Sequence, residues 1–372
     1  MTYFALIGLL LWWVVVLAPW RAWSTRELLT PLSDSTANPS FAAVTVLIPA
    51  RNEAPVIAQT LNALRAQNMD LRIIVIDDQS EDDTAAIAKQ QGATVFVGTT
   101  PPTNWSGKLW ALQQGLQTVK TRYTLLLDAD ITLAPGTLAA ILQHAKKNNL
   151  ALVSIMATLP TRSFLERLLI PAFIFFFKLL YPFALANQPG SRVAAAAGGC
   201  ILVETEALKS VHAFESIHDA LIDDCTLAAK IKQTGYQIWI GLSHGAYSHR
   251  GYDNLAQIWN MVARTAFTQL NYSFFLLLAC TSIMVSMFWL APVLIMTCTD
   301  TICLTAWILT WIAMWIVYSP TLKFYQLSRL WVVALPLIGT LYLLMTWTSA
   351  FRYSRGERAQ WKNRRYDVAK HD

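Results

Sequence analysis

The chain has 372 residues, 55% of them apolar and only 14% charged, with 15 tryptophans and a mean hydropathy of +0.38. Soluble globular proteins carry roughly 25% charge, so a wholly soluble protein is disfavoured. With Gly and Pro at 15 each, 5 Cys and a formal charge of +6, collagen-like repetition, disorder and a disulfide-stapled secreted domain are also excluded.

Across residues 3–23 the only charge is Arg21, enough for a spanning helix of about 20 residues. Neither a basic n-region nor a small-residue cleavage site accompanies it, so residues 1–23 read as an uncleaved N-terminal transmembrane anchor. Arg21 and Arg26 follow directly, and the positive-inside rule then puts the N-terminus outside and the next domain in the cytoplasm.

Residues 41–262 have ordinary composition and repeat strand then helix, the rhythm of an α/β domain. Residues 44–48, 71–76, 94–97 and 123–127 are short, continuously apolar runs, as expected of parallel strands covered on both faces. Helices fit the gaps. Pro55 suits a first helical turn with Ile57, Leu61 and Leu64 on one face; Asp82 or Asp83 suits the cap of the next; Leu109, Leu112, Leu116 and Val119 line a third.

Polar residues cluster just past these strands, where open α/β sheets bind ligands. Arg51, Asn52 and Glu53 follow the first, Asp77 and Asp78 end the second, and Asp128, Ala129 and Asp130 end the fourth. No Gly-x-Gly-x-x-Gly follows the first strand and no Gly-Lys-Ser/Thr P-loop occurs anywhere, which disfavours dinucleotide and Walker-type sites. Asp128-Ala129-Asp130 can aim two carboxylates at one position and hold Mg²⁺ or Mn²⁺, with phosphate oxygens completing the shell; alone, it suits a turn or helix cap better, and the set of polar clusters at strand ends is what favours the metal. Gly107-Lys108 supplies a cation to face phosphate.

Residues 164–186 are apolar yet carry Glu166, Arg167, Lys178 and two prolines. A crossing there would split the central domain between the two sides of the membrane, so the stretch reads as a helix lying in the interface, with a buried core helix as the plain alternative. Asp223-Asp224 opens an amphipathic segment running through Ile231. It suits helix capping, or a cleft in which one carboxylate is held by hydrogen bonds and the other accepts a proton. Arg264 suits an interfacial snorkelling role or a diphosphate contact. The scattered histidines, His244 and His249 among them, make no zinc spacing.

Between residues 273 and 351 the only charges are Asp300, Lys323 and Arg329. Apolar runs at 274–298, 302–318 and 331–350 predict about three transmembrane helices, with those charges in the turns. Residues 352–372 form a basic tail that argues for a cytoplasmic C-terminus, whereas three crossings from a cytoplasmic domain leave it outside. Either one run is re-entrant or interfacial, or the tail breaks the charge rule.

As a set, these motifs resemble a family-2 inverting glycosyltransferase of GT-A fold. Pro49-Ala50-Arg51-Asn52-Glu53 resembles its opening motif, Asp77-Asp78-Gln79-Ser80-Glu81-Asp82-Asp83-Thr84 its nucleoside-binding motif and Asp128-Ala129-Asp130 its metal motif, while Asp223-Asp224 stands where the family has Glu-Asp. Asn104-Trp105-Ser106-Gly107-Lys108-Leu109-Trp110-Ala111 and Met261-Val262-Ala263-Arg264-Thr265-Ala266 resemble more closely the hopanoid-associated glycosyltransferases of bacteria; ceramide and carotenoid glycosyltransferases are looser relatives. The resemblance implies a Rossmann-like, mostly parallel α/β sheet. It further implies that Glu53 and Asp78 face uridine and ribose with Asp77 supporting them, and that Lys108, with Arg264, meets the diphosphate. Asp130 with Asp128 would hold Mg²⁺ or Mn²⁺. Asp224 would be the general base, supported by Asp223, and Gly198-Gly199 would let the acceptor approach the backbone, although a tight turn explains them nearly as well.

The activity implied is transfer of one sugar, with inversion, from a nucleotide-sugar, UDP-linked by resemblance, to a lipid hydroxyl, a hopanoid by the closer resemblance. The implied partners are the nucleotide-sugar donor, the lipid acceptor and the membrane, with no nucleic acid; the implied location is multi-pass in the cytoplasmic membrane, catalytic domain inward. Met261 and Thr265 depart from the Gln-x-x-Arg-Trp of processive members, and Asp223 replaces the usual Glu. The alternatives are a processive polysaccharide synthase, and a non-catalytic membrane scaffold or transporter with a transferase-like domain.

Overall fold

In a computed structural model, which describes residues 2–33, 43–290, 300–357, 360–361 and 364–365, the four predicted strands form one parallel block. The order begins α1 (Thr2–Leu17), β1 (Val44–Ala50), α2 (Ile57–Arg65), β2 (Leu71–Asp77), α3 (Thr84–Gln90), β3 (Thr94–Val97), α4 (Gly107–Leu116), β4 (Tyr123–Leu127), β5 (Ile131–Leu133) and α5 (Thr137–Lys147). It continues β6 (Leu152–Thr158), α6 (Phe164–Leu180), α7 (Phe183–Ala186), β7 (Cys200–Glu204), α8 (Thr205–Ser210), α9 (Asp223–Gln233) and β8 (Ile238–Ser248). Then come α10 (Leu255–Ala263), α11 (Phe274–Phe288), α12 (Thr301–Phe324) and α13 (Leu335–Ser354). The chain divides into an α/β unit, Glu27–Pro160 with Leu185–Gly251 and Ala359–Asp372, and a helical unit, Met1–Arg26 with Thr161–Ala184 and Tyr252–Arg358.

The α/β unit is built on one sheet of order β3-β2-β1-β4-β7-β6-β8-β5. β3, β2, β1 and β4 run parallel, β7 runs antiparallel to both β4 and β6, and β5 runs antiparallel to β8. All seven residues of β1 are buried, as a strand covered by helices on both faces requires. Ile57, Leu61 and Leu64 of α2 join the core layer on one face, and Leu109, Leu112, Leu116 and Val119 that on the other.

Helix starts differ slightly from expectation. α2 begins two residues after Pro55. Asp83 holds the cap position of α3 without a side-chain bond, and Asp82 does the work instead, accepting from Thr84 N at 3.1 Å and from Ala54 N at 3.1 Å.

Register decides which loops meet. Ala50 pairs with Asp77, so the segments leaving β1 and β2 emerge side by side. Leu127 pairs with Cys200, and Asp128 N donates to Gly199 O at 3.0 Å, setting Gly198-Gly199 opposite the end of β4. Ile131 pairs with Ser248, which brings the end of β8 to Asp130.

The helical unit corrects the length of the N-terminal anchor. α1 has 16 residues, roughly 24 Å at 1.5 Å per residue, because the residue before Pro19 is steered out of the helical region. Among the described residues, Thr301–Phe324 and Arg329–Ser354 are long and apolar enough to cross a membrane. Leu255–Leu270 and Phe274–Phe288, bent by 114°, make a third only if taken together. The end of the predicted 274–298 run, residues 291–299, lies outside the described residues. Asp300 caps α12, its Oδ1 accepting from Cys303 N at 2.7 Å, so this acid in an apolar block is a helix start.

Within this unit α6 is buried along much of its length, and its two ends carry buried charges. At the N-terminal end, Ser163 and Glu166 form a capping box, and Glu166 also accepts from Tyr252 N at 2.8 Å. Toward the other end, Lys178 Nζ donates to Ser24 O at 3.0 Å, Trp23 O at 3.4 Å and Thr321 Oγ1 at 3.2 Å. These charges, which argued against a membrane crossing, each meet hydrogen-bond partners inside the unit, as buried charge must.

Candidate active site

Two loops at the ends of β1 and β2 are locked together. Arg51 Nη1 donates to Asp78 O at 2.7 Å and to Gln79 O at 3.0 Å. Asn52 N donates to Ser80 Oγ at 3.0 Å, Glu81 N donates to Asn52 Oδ1 at 2.8 Å, and Glu53 N donates to Thr84 Oγ1 at 2.8 Å. The run from Asp77 to Thr84 thus supplies acceptors for the backbone of the first motif, which explains why both motifs are rich in short polar side chains. Glu53, Asp77 and Asp78 are all buried. Asp77 Oδ2 accepts from Ser80 N at 3.4 Å, and its buried Oδ1 has no hydrogen-bond partner among the described residues.

Five of the other predicted residues, Lys108, Asp128, Gly198, Asp223 and Asp224, line one recess together with the apolar Leu109, Leu112, Phe214 and Leu227. Ser106 starts α4 by accepting from Leu109 N at 3.1 Å, which sets Lys108 in the first helical turn. Lys108 Nζ lies 2.7 Å from Asp128 Oδ1. Burial works against the lysine's charge, but the carboxylates of Asp128, Asp223 and Asp224 outweigh it and hold the ammonium well above its ordinary range. Burial likewise lifts the carboxyl of Asp128, with Lys108 opposing.

Asp224 stands in the first turn of α9. Its Oδ1 accepts from Cys225 N at 2.7 Å and its Oδ2 from Gly198 N at 2.7 Å. Burial first, then the neighbouring Asp223, push its carboxyl up to about 6 against those bonds and Lys108. The N-cap position of α9 is Ile222 and carries no side-chain bond, so the capping expected of Asp223-Asp224 is not formed; Asp224 instead meets the N–H of Cys225 within the first turn and lines the recess.

The two glycines separate in role. A side chain at Gly198 would meet Asp224 Oδ2 at 3.3 Å and Lys108 Nζ at 3.4 Å, whereas one at Gly199 would meet Ile131 Cδ1 at 3.3 Å. Neither has a positive φ, so no left-handed turn requires them. Gly198 keeps the recess open; Gly199 permits close packing against β5.

Asp130 is held from β8. Ser248 Oγ donates to its Oδ2 at 2.6 Å and His249 N to its carbonyl at 2.9 Å. Among the described residues no third Asp, Glu, His or Cys joins Asp128 and Asp130 as a metal-holding group. The pair presents carboxylate oxygens, the ligand type that Mg²⁺ and Mn²⁺ take. Arg264 belongs to the helical unit, where it follows α10 with an exposed side chain; the cluster above is assembled without it. Sequence reasoning missed Arg250, whose Nη2 lies 2.7 Å from Glu53 Oε1. Its one signal in the sequence was a cation directly after His249.

Residues 45–211 match the family described as Glycosyl transferase family 2. The 4,4'-diaponeurosporenoate glycosyltransferase of Staphylococcus aureus strain MRSA252 is 33% identical over 138 residues, 36% of this chain and 37% of that protein. Its counterpart in strain N315 is 37% identical over 102 residues, 27% of each chain. The alignments thus span little over a third of these relatives' length at most. Among solved structures, the mannosyltransferase PcManGT from Pyrobaculum calidifontis, in complex with GDP-Man and Mn²⁺, matches with a TM-score of 0.58 at 18% identity over 95% of this chain and 100% of that one. That likeness is one of fold.

Proposed function

We propose that this chain, whose residues 45–211 match Glycosyl transferase family 2 and whose fold resembles that of a mannosyltransferase, transfers one sugar, with inversion, from a nucleotide-sugar to the hydroxyl of an apolar membrane lipid. The observation that carries this reading is Asp224, a buried carboxylate held by two backbone N–H groups in the same recess as the Lys108–Asp128 pair. With its carboxyl raised to about 6, Asp224 is ionised at neutral pH yet basic enough to take an acceptor's proton. Attack from the Asp224 side, opposite the departing nucleotide, inverts the anomeric centre.

Glu53, Asp77 and Asp78 take the nucleoside, and the buried Asp77 Oδ1 offers an acceptor to a base or ribose donor. Lys108, at the start of α4, holds the diphosphate with positive charge. Asp128 and Asp130 would hold Mg²⁺ or Mn²⁺, which when bound would supply positive charge to a leaving diphosphate. Arg264 we assign to the donor and Asp223 to the support of Asp224. The protein sits in the cytoplasmic membrane with the α/β unit inward, a reading supported by the two helices long and apolar enough to cross. We assign the first 23 residues to an anchor, α6 to the interface and the C-terminal helices to the membrane.

The test is divalent-metal-dependent release of UDP or GDP from a panel of nucleotide-sugars by the detergent-purified chain, with and without bacterial polar lipids. Lipid-stimulated release is the expected result; no nucleotide-sugar binding with or without metal overturns the reading. A hydroxylated hopanoid is the first acceptor to try, on the motif resemblance.

A carotenoid acid is the second, because the relatives' name specifies one. The two acceptors differ in pH dependence. A hydroxyl needs Asp224 ionised, so turnover should rise with pH through about 6, whereas a carboxylate acceptor already carries its charge there and needs no base. Gly198→Ala is expected to slow turnover about tenfold by crowding Asp224 and Lys108 while leaving the unfolding temperature within about 2 °C. Gly199→Ala, which presses on Ile131, should instead lower stability; the reverse pattern would sink the separation of roles.

A further inference from the structure

Arg250, two residues past the end of β8, bridges two acids that the motifs assign to different parts of the donor. Its Nη2 donates to Glu53 Oε1 at 2.7 Å, and its Nε lies 3.9 Å from Asp130 Oδ2. Ser248 Oγ, which donates to Asp130, also accepts from Arg250 N at 3.1 Å. Burial works against the guanidinium's charge, but Asp130 and Glu53 outweigh it. Together with Lys108 on Asp128, this means that both carboxylates of Asp128-Ala129-Asp130 face a cation belonging to the protein.

We propose that Arg250 is a donor-binding residue with two alternative sets of partners: the guanidinium that pairs with Glu53 and Asp130 turns to the donor's diphosphate when that binds. The inference rests on the nucleotide-sugar site proposed above. A divalent cation on Asp130 alone would sit a few ångströms from the guanidinium, like charge against like charge in a partly shielded site. A diphosphate removes the conflict, because its oxygens accept the metal on one side and the planar guanidinium fork on the other. The side chain is 45% exposed, enough to swing without unpacking the core. Arg250 therefore opposes metal binding by itself and favours binding of metal together with nucleoside diphosphate.

Those opposite signs make the test. Binding of Mn²⁺ alone, followed by electron paramagnetic resonance, and of UDP and GDP with Mn²⁺, followed by calorimetry, is compared in the full chain for wild type, Arg250→Gln and Arg250→Lys. Arg250→Gln should bind Mn²⁺ alone roughly threefold to tenfold more tightly, and the nucleoside diphosphate with Mn²⁺ roughly tenfold to a hundredfold more weakly. Arg250→Lys keeps the charge and loses the fork, so it should stay near wild type for Mn²⁺ alone and fall between the other two for the nucleotide. Affinities that fall together, as a purely structural residue would give, or that do not move, overturn the proposal. If wild type binds neither UDP nor GDP, the donor site itself fails, and an unchanged affinity for Mn²⁺ alone in Arg250→Gln would separately reject the competition for Asp130.

Discussion

Asp224→Asn is expected to lower turnover onto a hydroxyl acceptor roughly a thousandfold, within the range that loss of a general base produces, and to leave UDP or GDP affinity within about threefold. The side chain keeps its volume, and its carbonyl oxygen still accepts from one of Gly198 N and Cys225 N, the two donors now at 2.7 Å. What it loses is the ability to take a proton. The donor-side pairs survive the change: Lys108 keeps its ion pair with Asp128, and Glu53 its pair with Arg250. Single-turnover transfer at saturating donor separates the steps, since a base acts on transfer and a donor ligand on affinity. Retention of a tenth of wild-type turnover with a hydroxyl acceptor would remove Asp224 from the role. Loss confined to hydroxyl acceptors, with a carotenoid acid still glycosylated, would show that the site accepts either acceptor and that the base serves only one.

The largest effect on stability is expected at Glu166. Its carboxylate accepts from Arg162 N at 2.8 Å, Ser163 N at 2.9 Å and Tyr252 N at 2.8 Å, and the residue is 3% exposed. Glu166→Gln keeps the shape but turns an amide N–H₂ toward at least one of these donors. A buried donor left unmet costs about 1–3 kcal/mol, so the variant should lose about 3 kcal/mol, or roughly 6–12 °C in unfolding temperature for a unit of this size. Thermal unfolding in detergent checks this, with Arg167→Gln on the same turn as the control.

The effect has a defined pH window. Burial opposes the charge of Glu166, but the three backbone donors outweigh it and hold the carboxyl below its ordinary value of 4.5. A depressed carboxylate stabilises the fold fully above its unfolded pKa and loses that contribution as pH falls through the folded one. The gap between wild type and Glu166→Gln should therefore be full at pH 7 and shrink in acid. A gap that widened in acid would contradict the hydrogen-bonded carboxylate.

Much of the parallel half of the sheet was legible in one dimension. Val44, Leu71, Thr94 and Tyr123 each open a strand where the apolar runs predicted one; β1 and β4 are buried throughout, as a strand covered on both faces is, whereas β3, at the sheet edge, is largely exposed and departs from that expectation. The same logic singled out Glu53, Asp78 and Asp130 as candidates, since polar residues directly after such runs fall where an open sheet leaves room for a ligand. Asp300 was placed correctly in a turn for a local reason: a lone acid in an apolar block is tolerated where it caps a helix.

What local pattern did not carry was pairing across distance. β7 enters between β4 and β6, and β5 closes on β8; these neighbours are far apart in sequence, and short runs of three to seven residues do not announce their partners. That pairing alone places Gly198 against Asp224 and Lys108, and Arg250 against Glu53 and Asp130. Composition likewise identified the apolar helices but not their ends, because hydropathy counts residues while Pro19 ends α1 at Leu17 through backbone sterics. Residue type and neighbour order follow from short-range chemistry and can be read along the chain. The meeting of charges from strands more than a hundred residues apart depends on sheet order and register, which exist only once the chain has folded.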